Sequence, residues 1–162
     1  QTYMFSTGFI MKKSQKKLSA SLEALKKAEQ ICDSNGLKLT KLRKQVLNLI
    51  WKKSGYVKAY DLLDELKKID PSAKPPTIYR TLDFLMENGL IHKIQSLNAF
   101  IGCPHPDEHN ECYFLICDRC QMIEECCSKK ISNVVSSTSK NSNFIPSKVT
   151  FEIAGTCQNC LN

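Results

Sequence analysis

With 162 residues and a formal net charge of +7, from 23 Lys and Arg against 16 Asp and Glu, the chain has room for one or two small domains with thin cores. No apolar run reaches the roughly 20 residues needed to span a bilayer, and no basic start leads into a long apolar stretch as an export signal would. Nine cysteines in such a chain therefore read as metal ligands before disulfides, and the basic excess fits a polyanion partner without requiring one.

Residues 1–14 are set aside as a non-native or disordered leader, because Met11-Lys12-Lys13 has the look of a natural start. From residue 15, Leu18, Leu22, Leu25, Ala28 and Cys32 form a helical stripe that Gly36 ends. Thr40 can cap the next helix, whose apolar face is Leu42, Val46, Leu49 and Ile50. Ala59, Leu62, Leu63, Leu66 and Ile69 place a third helix over 57–69, stopped at Asp70-Pro71. Pro75-Pro76 suits the first turn of a fourth helix over 75–88, where a proline lacks only a donor that is unpaired there anyway. Leu90 to Cys103 changes to two β-prone runs around Ser96-Leu97-Asn98, a hairpin. Helices followed by a two-stranded wing make a winged helix-turn-helix over 15–101.

A hinge loop at 102–108 then leads to a second module at 109–162. Cys112–Cys117 reads as a buried strand, Gln121–Glu125 as its return partner, 127–140 as a weakly patterned helix and Lys148–Ile153 as an alternating strand. The fold class is α+β: an N-terminal winged helix-turn-helix domain plus a C-terminal α/β module.

Eight of the nine cysteines lie at or after Cys103. Cys117-Asp-Arg-Cys120 and Cys157-Gln-Asn-Cys160 each follow a predicted strand. Two residues between cysteines let one tight turn aim both sulfurs at one ion, and two such turns make a closed tetrahedral thiolate site for zinc. A thioredoxin-like redox site needs one CxxC at a helix start, which is not the pattern here.

A second constellation lies around the wing, where all three histidines fall between His92 and His109. With Leu97-Asn98 as a two-residue loop, His92 stands directly opposite Cys103. A three-residue loop would destroy that pairing. His109 in the following loop and Glu125 complete a four-coordinate set of nitrogen, sulfur, nitrogen and oxygen. His105, Asp107, Glu108 and Cys112 are rival ligands. A thiolate in the set favours zinc over hard cations. Cys32, Cys126 and Cys127 read as packing or surface residues.

The segment AYDLLDELKKIDPSAKPPTIYRTLDFLMENGLIHKI resembles the DNA-binding half of the ferric uptake regulator superfamily, and ICDRC followed by EE, with a terminal CxxC, resembles its dimerisation half. AKPPTIYRTLDFL and the position of Cys103 are most similar to its zinc uptake branch. The resemblance implies a cytoplasmic homodimer that represses metal-uptake genes by binding inverted-repeat operators in double-stranded DNA, with zinc as co-repressor and no enzymatic or membrane role. It implies two zinc ions per subunit: a structural one on Cys117, Cys120, Cys157 and Cys160, and a regulatory one on His92, Cys103, His109 and Glu125. It implies that Tyr79 and Arg80 contact DNA with Tyr60, and Thr77 shares the polar face of the same helix. Thr81 is read onto that face too, and Lys41, Arg43, Lys74 and Lys93 are candidate phosphate partners. Asp64 is present where that branch joins neighbouring dimers, with Lys67 where an arginine is expected. Iron-, nickel- or peroxide-responsive repressors of the same superfamily are the alternatives, the last acting through thiol oxidation. A nucleobase deaminase would need a proline before its CxxC, and neither pair has one.

Overall fold

The computed structural model describes residues 7–53, 55–107, 112–147 and 149–161, with side chains from Leu18 onward. The elements in order are α1 (Thr7–Ser34), α2 (Lys41–Lys52), α3 (Ala59–Lys67), α4 (Pro75–Glu87), β1 (Ile91–Ile94), β2 (Ala99–Gly102), β3 (Cys112–Cys117), β4 (Ile123–Cys127), α5 (Lys129–Asn141), β5 (Glu152–Gly155) and α6 (Gln158–Leu161). Residues 7–14, set aside above, lie in the first turns of α1.

The front core is made largely by the predicted stripes, with Leu47 added and Leu18, Leu22 and Ile69 left exposed. Val46, Leu47 and Ile50 of α2, Leu62, Leu63 and Leu66 of α3, and Ile78, Leu82 and Leu85 of α4 are buried together with Ala28. A fully buried leucine is worth about 2 kcal/mol, so these residues hold three short helices that would not persist alone. Thr40 caps α2 by accepting from the Arg43 N–H at 3.4 Å. Pro75 and Pro76 open α4, as the missing donors require. Gly89 (φ +68°) ends α4 in the left-handed region. Its N–H reaches the Met86 carbonyl at 3.0 Å, and the Leu90 N–H reaches that of Leu85 at 2.9 Å. That C-terminal lock turns the chain directly into the wing.

The hairpin corrects the expected register. Ile94 pairs with Ala99 and His92 with Ile101, so the loop is Gln95 to Asn98, four residues long. Asn98 takes φ +46°, which asparagine tolerates better than most residues. The shift is two residues, and an even shift preserves side-chain parity. His92 and Cys103 therefore remain on one face as diagonal rather than opposed neighbours. Pairing runs past the expected boundary at 101, since the Cys103 N–H donates to the Leu90 carbonyl at 3.0 Å. Val57 bridges to Phe100 and ties the wing to the helices.

The back sheet has the order β4-β3-β5. β4 returns antiparallel from β3, and β5 arrives parallel to β3 after the α5 crossover. β5 lies further along the chain than the expected strand, at Glu152–Gly155, and Lys148 is outside the described residues. In the parallel register Cys117 stands beside Gly155. Both CxxC segments therefore leave the same end of the sheet.

Candidate metal centres at the sheet end and the wing seam

At the sheet end, one sulfur from each of Cys117, Cys120, Cys157 and Cys160 lies within 4.8 Å of the other three. Cys120 Sγ and Cys157 Sγ are 3.6 Å apart. Tetrahedral zinc–thiolate bonds of 2.3 Å set sulfurs about 3.8 Å apart, so the donor set fits zinc. The Cys120 and Cys157 backbone N–H groups, the latter at 3.4 Å, hold the Cys117 thiol down to about 6. Amides aimed at a sulfur favour its thiolate, the form that binds metal. Gln121 takes φ +58°, which lets the chain leave the first CxxC turn into β4.

The second cluster joins the two modules. Strand alternation puts Phe114 and Ile116 of β3 and Ile123 of β4 on one face of the back sheet, where they pack with Ile94, Ile101, Leu97 and Tyr56 from the wing side. Glu125 pairs with Phe114 on that face. Its side chain is only 4% exposed, and its Oε1 lies 3.0 Å from His92 Nε2 and 3.7 Å from Cys103 Sγ. The His92 ring meets Phe114 edge-on at 5.3 Å. Glu125 Oε2 is buried with no hydrogen-bond partner among the described residues. A carboxylate withdrawn from water with an idle oxygen beside an imidazole and a thiol is suited to a cation. Burial, and then the adjacent Glu125 carboxylate, push the Cys103 thiol up to about 12, so a metal entering here displaces a proton.

His92 and Cys103 thus each approach Glu125 Oε1, although the wing register differs, but the group whose ligand atoms all lie within 4.8 Å of one another is His92, Cys112 and Glu125, without Cys103. His109, with Glu108, lies outside the described residues. Of the rivals, Cys112 has its sulfur within 4.8 Å of ligand atoms of both His92 and Glu125, and the exposed His105 and Asp107 are not in that cluster. Cys112 and Cys127, read above as a rival ligand and a packing or surface residue, are joined as a disulfide. Their direct opposition in the antiparallel ladder brings them together, a pairing that follows only once the β3–β4 register is known.

On α4, Thr77, Tyr79 and Arg80 are exposed, and Tyr60 of α3 is 71% exposed. Thr81 is a correction: it is buried and donates to the Thr77 carbonyl at 2.9 Å. Arg43 is committed locally. Its guanidinium lies over the Phe84 ring at 3.4 Å, and its Nη1 donates to the Lys38 carbonyl at 2.6 Å.

Three further contacts close the seam. The Gln95 and Ser96 N–H groups of the wing turn donate to the Glu152 carboxylate at 2.6 and 3.1 Å, and Tyr56 Oη donates to Gln121 Oε1 at 3.1 Å.

Fold and clusters together define a winged-helix module packed against an α/β module, with one cysteine cluster and one His–Cys–Glu cluster that could each hold a metal ion. The chain belongs to the Ferric uptake regulator family, whose family model matches residues 34–154. It is 38% identical over 141 residues to the zinc uptake regulation protein of Escherichia coli (strain K12), covering 86% of this chain and 82% of that one. A solved zinc uptake regulator complexed with zinc and DNA superposes with a TM-score of 0.83 at 37% identity, over 87% of this chain and 95% of that one. The holo form of XcZur superposes at 0.79 (40% identity, 85% and 96% covered) and its apo form at 0.52 (37%, 89% and 99%). The chain thus superposes more closely on that protein's holo form than on its apo form.

Proposed function

We propose that the chain is a zinc-dependent transcriptional repressor of metal-uptake genes, acting as a cytoplasmic homodimer on inverted-repeat operators and catalysing no reaction. The observation that carries this is the seam, where the buried Glu125 carboxylate meets His92 of the wing and Cys103 at its end. Cys117, Cys120, Cys157 and Cys160 would hold one zinc ion per subunit and so tie the sheet end together. His92, Cys103, Glu125 and His109 would hold a second, which would brace the wing against the back sheet and orient the reading head. Zinc favours DNA binding to the extent that it binds this closed arrangement better than an open one.

Tyr60, Thr77, Tyr79 and Arg80 form the reading surface, with α4 in the major groove. Their exposure beside a packed core supports this. The apolar surface left open on the back module, including Val134, Phe144, Ile145 and Ile153, is suited to the partner subunit. Asp64 is exposed on α3, where a neighbouring dimer could meet it, and Lys67 would make a weaker pair than arginine.

The test is operator binding by fluorescence anisotropy against buffered free zinc, for the wild-type protein and Cys103→Ser. The variant should need about ten to a hundred times more zinc for half-maximal binding. A variant with unchanged zinc dependence would remove the seam from the mechanism.

A further inference from the structure

Cys112 and Cys127 occupy the first opposed pair of the β3–β4 ladder, and two steps along the same face lies Glu125. Opposed residues on one face of an antiparallel pair hold their side chains against each other. The adjacent Cys126 pairs with Tyr113 on the other face and takes no part. Cys127 Sγ lies 3.7 Å from Glu125 Oε1, the oxygen that also approaches His92 and Cys103. Ligand atoms of Cys112, His92 and Glu125 all fall within 4.8 Å of one another. Cys112 is thus placed for two partners, the Cys127 sulfur and a metal ion held by His92 and Glu125. The two exclude each other, because a metal ligand must be a thiolate and a disulfide sulfur carries no charge.

We propose that Cys112 and Cys127 are a reversible dithiol–disulfide pair that sets how many thiolates the His92–Glu125 site offers a metal ion. As the dithiol, Cys112 takes the fourth position beside His92, Glu125 and Cys103, in place of the loop ligand assigned above, and metal binds tightly; as the disulfide, Cys112 is withdrawn and metal binding weakens. The proposal rests on the metal site of the proposed function, and it makes that site answer to thiol redox poise as well as to zinc.

The co-reactant is a low-molecular-weight disulfide, RSSR. Cys127 is exposed, so its thiolate attacks RSSR first, forming a mixed disulfide and releasing RS⁻. The Cys112 thiolate then attacks the Cys127 sulfur and expels the second RS⁻. Two cysteine thiols lose two electrons and two protons, and RSSR becomes two RSH. Excess RSH runs both steps backwards.

The test uses the full chain with its four-cysteine site loaded with zinc, equilibrated in reduced and oxidised glutathione buffers. Differential alkylation with mass spectrometry reads the Cys112–Cys127 fraction, and cobalt(II) titration reads the second site through its sulfur-to-cobalt absorption. Oxidised wild type should lose one thiolate's share of that absorption and bind cobalt about ten- to a hundredfold more weakly than reduced wild type. Cys112→Ser should match oxidised wild type in every buffer, and Cys127→Ser should match reduced wild type in every buffer. Failure to find the Cys112–Cys127 bond in the oxidising buffer, or cobalt spectra unaffected by it, overturns the proposal. His92→Ala separates the two readings. Cobalt lost in His92→Ala but indifferent to the cysteine variants sinks the redox pair alone; cobalt retained in His92→Ala sinks the metal site and the pair with it.

Discussion

His92 Nε2 in the wing lies 3.0 Å from Glu125 Oε1 in the back sheet, across 33 positions of chain and between two separate sheets. Under the proposed function, the contact would make the orientation of the winged-helix module depend on what occupies the space around one carboxylate. A divalent ion between the imidazole and the carboxylate would bind both, with Cys103, and make the contact a fixed one.

That relationship predicts how zinc stabilises the fold. A ligand at 100 times its Kd adds about 2.7 kcal/mol to the form it binds. With the four-cysteine site already filled, further zinc should raise the melting temperature of the wild-type protein. In Glu125→Gln the amide keeps the shape but loses the charge, and most of that rise should vanish. Differential scanning calorimetry at buffered zinc checks this. An undiminished rise would place the stabilising ion elsewhere.

The four-cysteine cluster predicts a larger effect. It ties the segment after β5 to the turn after β3, and the back sheet buries few hydrophobic residues: Phe114, Ile116 and Cys117 of β3. A structural zinc contributes about 10 kcal/mol or more to folding in small domains, which matches the whole stability of an ordinary domain. Cys160→Ser, or a strong chelator, should therefore unfold the back module while leaving the helical front intact. Far-UV circular dichroism should show loss of sheet with the α1–α4 signal kept, and metal analysis one equivalent fewer. A native sheet without metal would refute the staple.

Much of this was legible in the sequence, for physical reasons that differ by element. The α2 and α4 stripes were readable because a 3.6-residue period selects one buried face, and Val46, Ile50, Ile78, Leu82 and Leu85 are on it. The two CxxC pairs were readable because the ligand spacing is local. The wing register was not, because turn length depends on which residue enters the left-handed region, and Asn98 does so at the end of a four-residue loop. Even so, His92 and Cys103 share a face, since parity survives a two-residue slip. Thr81 was misplaced because a hydroxyl can satisfy itself on the carbonyl one turn back and then be buried. Cys112 and Cys127 could not be matched before β3 and β4 had a register.

The reading face predicts a separation between specificity and affinity. Arg80 is exposed on α4, and an arginine bridging a guanine is worth about 1–3 kcal/mol of discrimination. Arg80→Ala should weaken operator binding by that amount and relax base preference at one position of each half-site. Lys74→Ala, at the exposed N-cap of α4, should weaken all sequences alike and reduce the salt dependence by about one ion. Binding titrations on single-base operator variants at several salt concentrations distinguish the two. Equal losses on every sequence for Arg80→Ala would remove it from base contact.

Gly102 gives the last prediction. It closes β2 immediately before Cys103, and a Cβ placed on it would lie 2.5 Å from Trp51 Nε1 and 2.8 Å from Trp51 Cζ2. The indole at the end of α2 therefore packs directly on the wing backbone, and only a residue without a side chain lets it. Its Nε1 is buried without a hydrogen-bond partner among the described residues, so the ring is held by packing. Gly102→Ala must displace either the indole or the strand that carries Cys103. Overpacking of this kind costs about 1–3 kcal/mol. Urea denaturation should show that loss, and zinc titration should show weaker binding at the seam, because Cys103 moves with the strand. Gly155→Ala is the control: nothing lies within 4 Å of its added Cβ, and stability should change little. Trp51→Leu introduced into Gly102→Ala removes the obstructing ring and should restore zinc affinity. If zinc affinity stays low in the double variant, the indole is not what makes glycine necessary at this position.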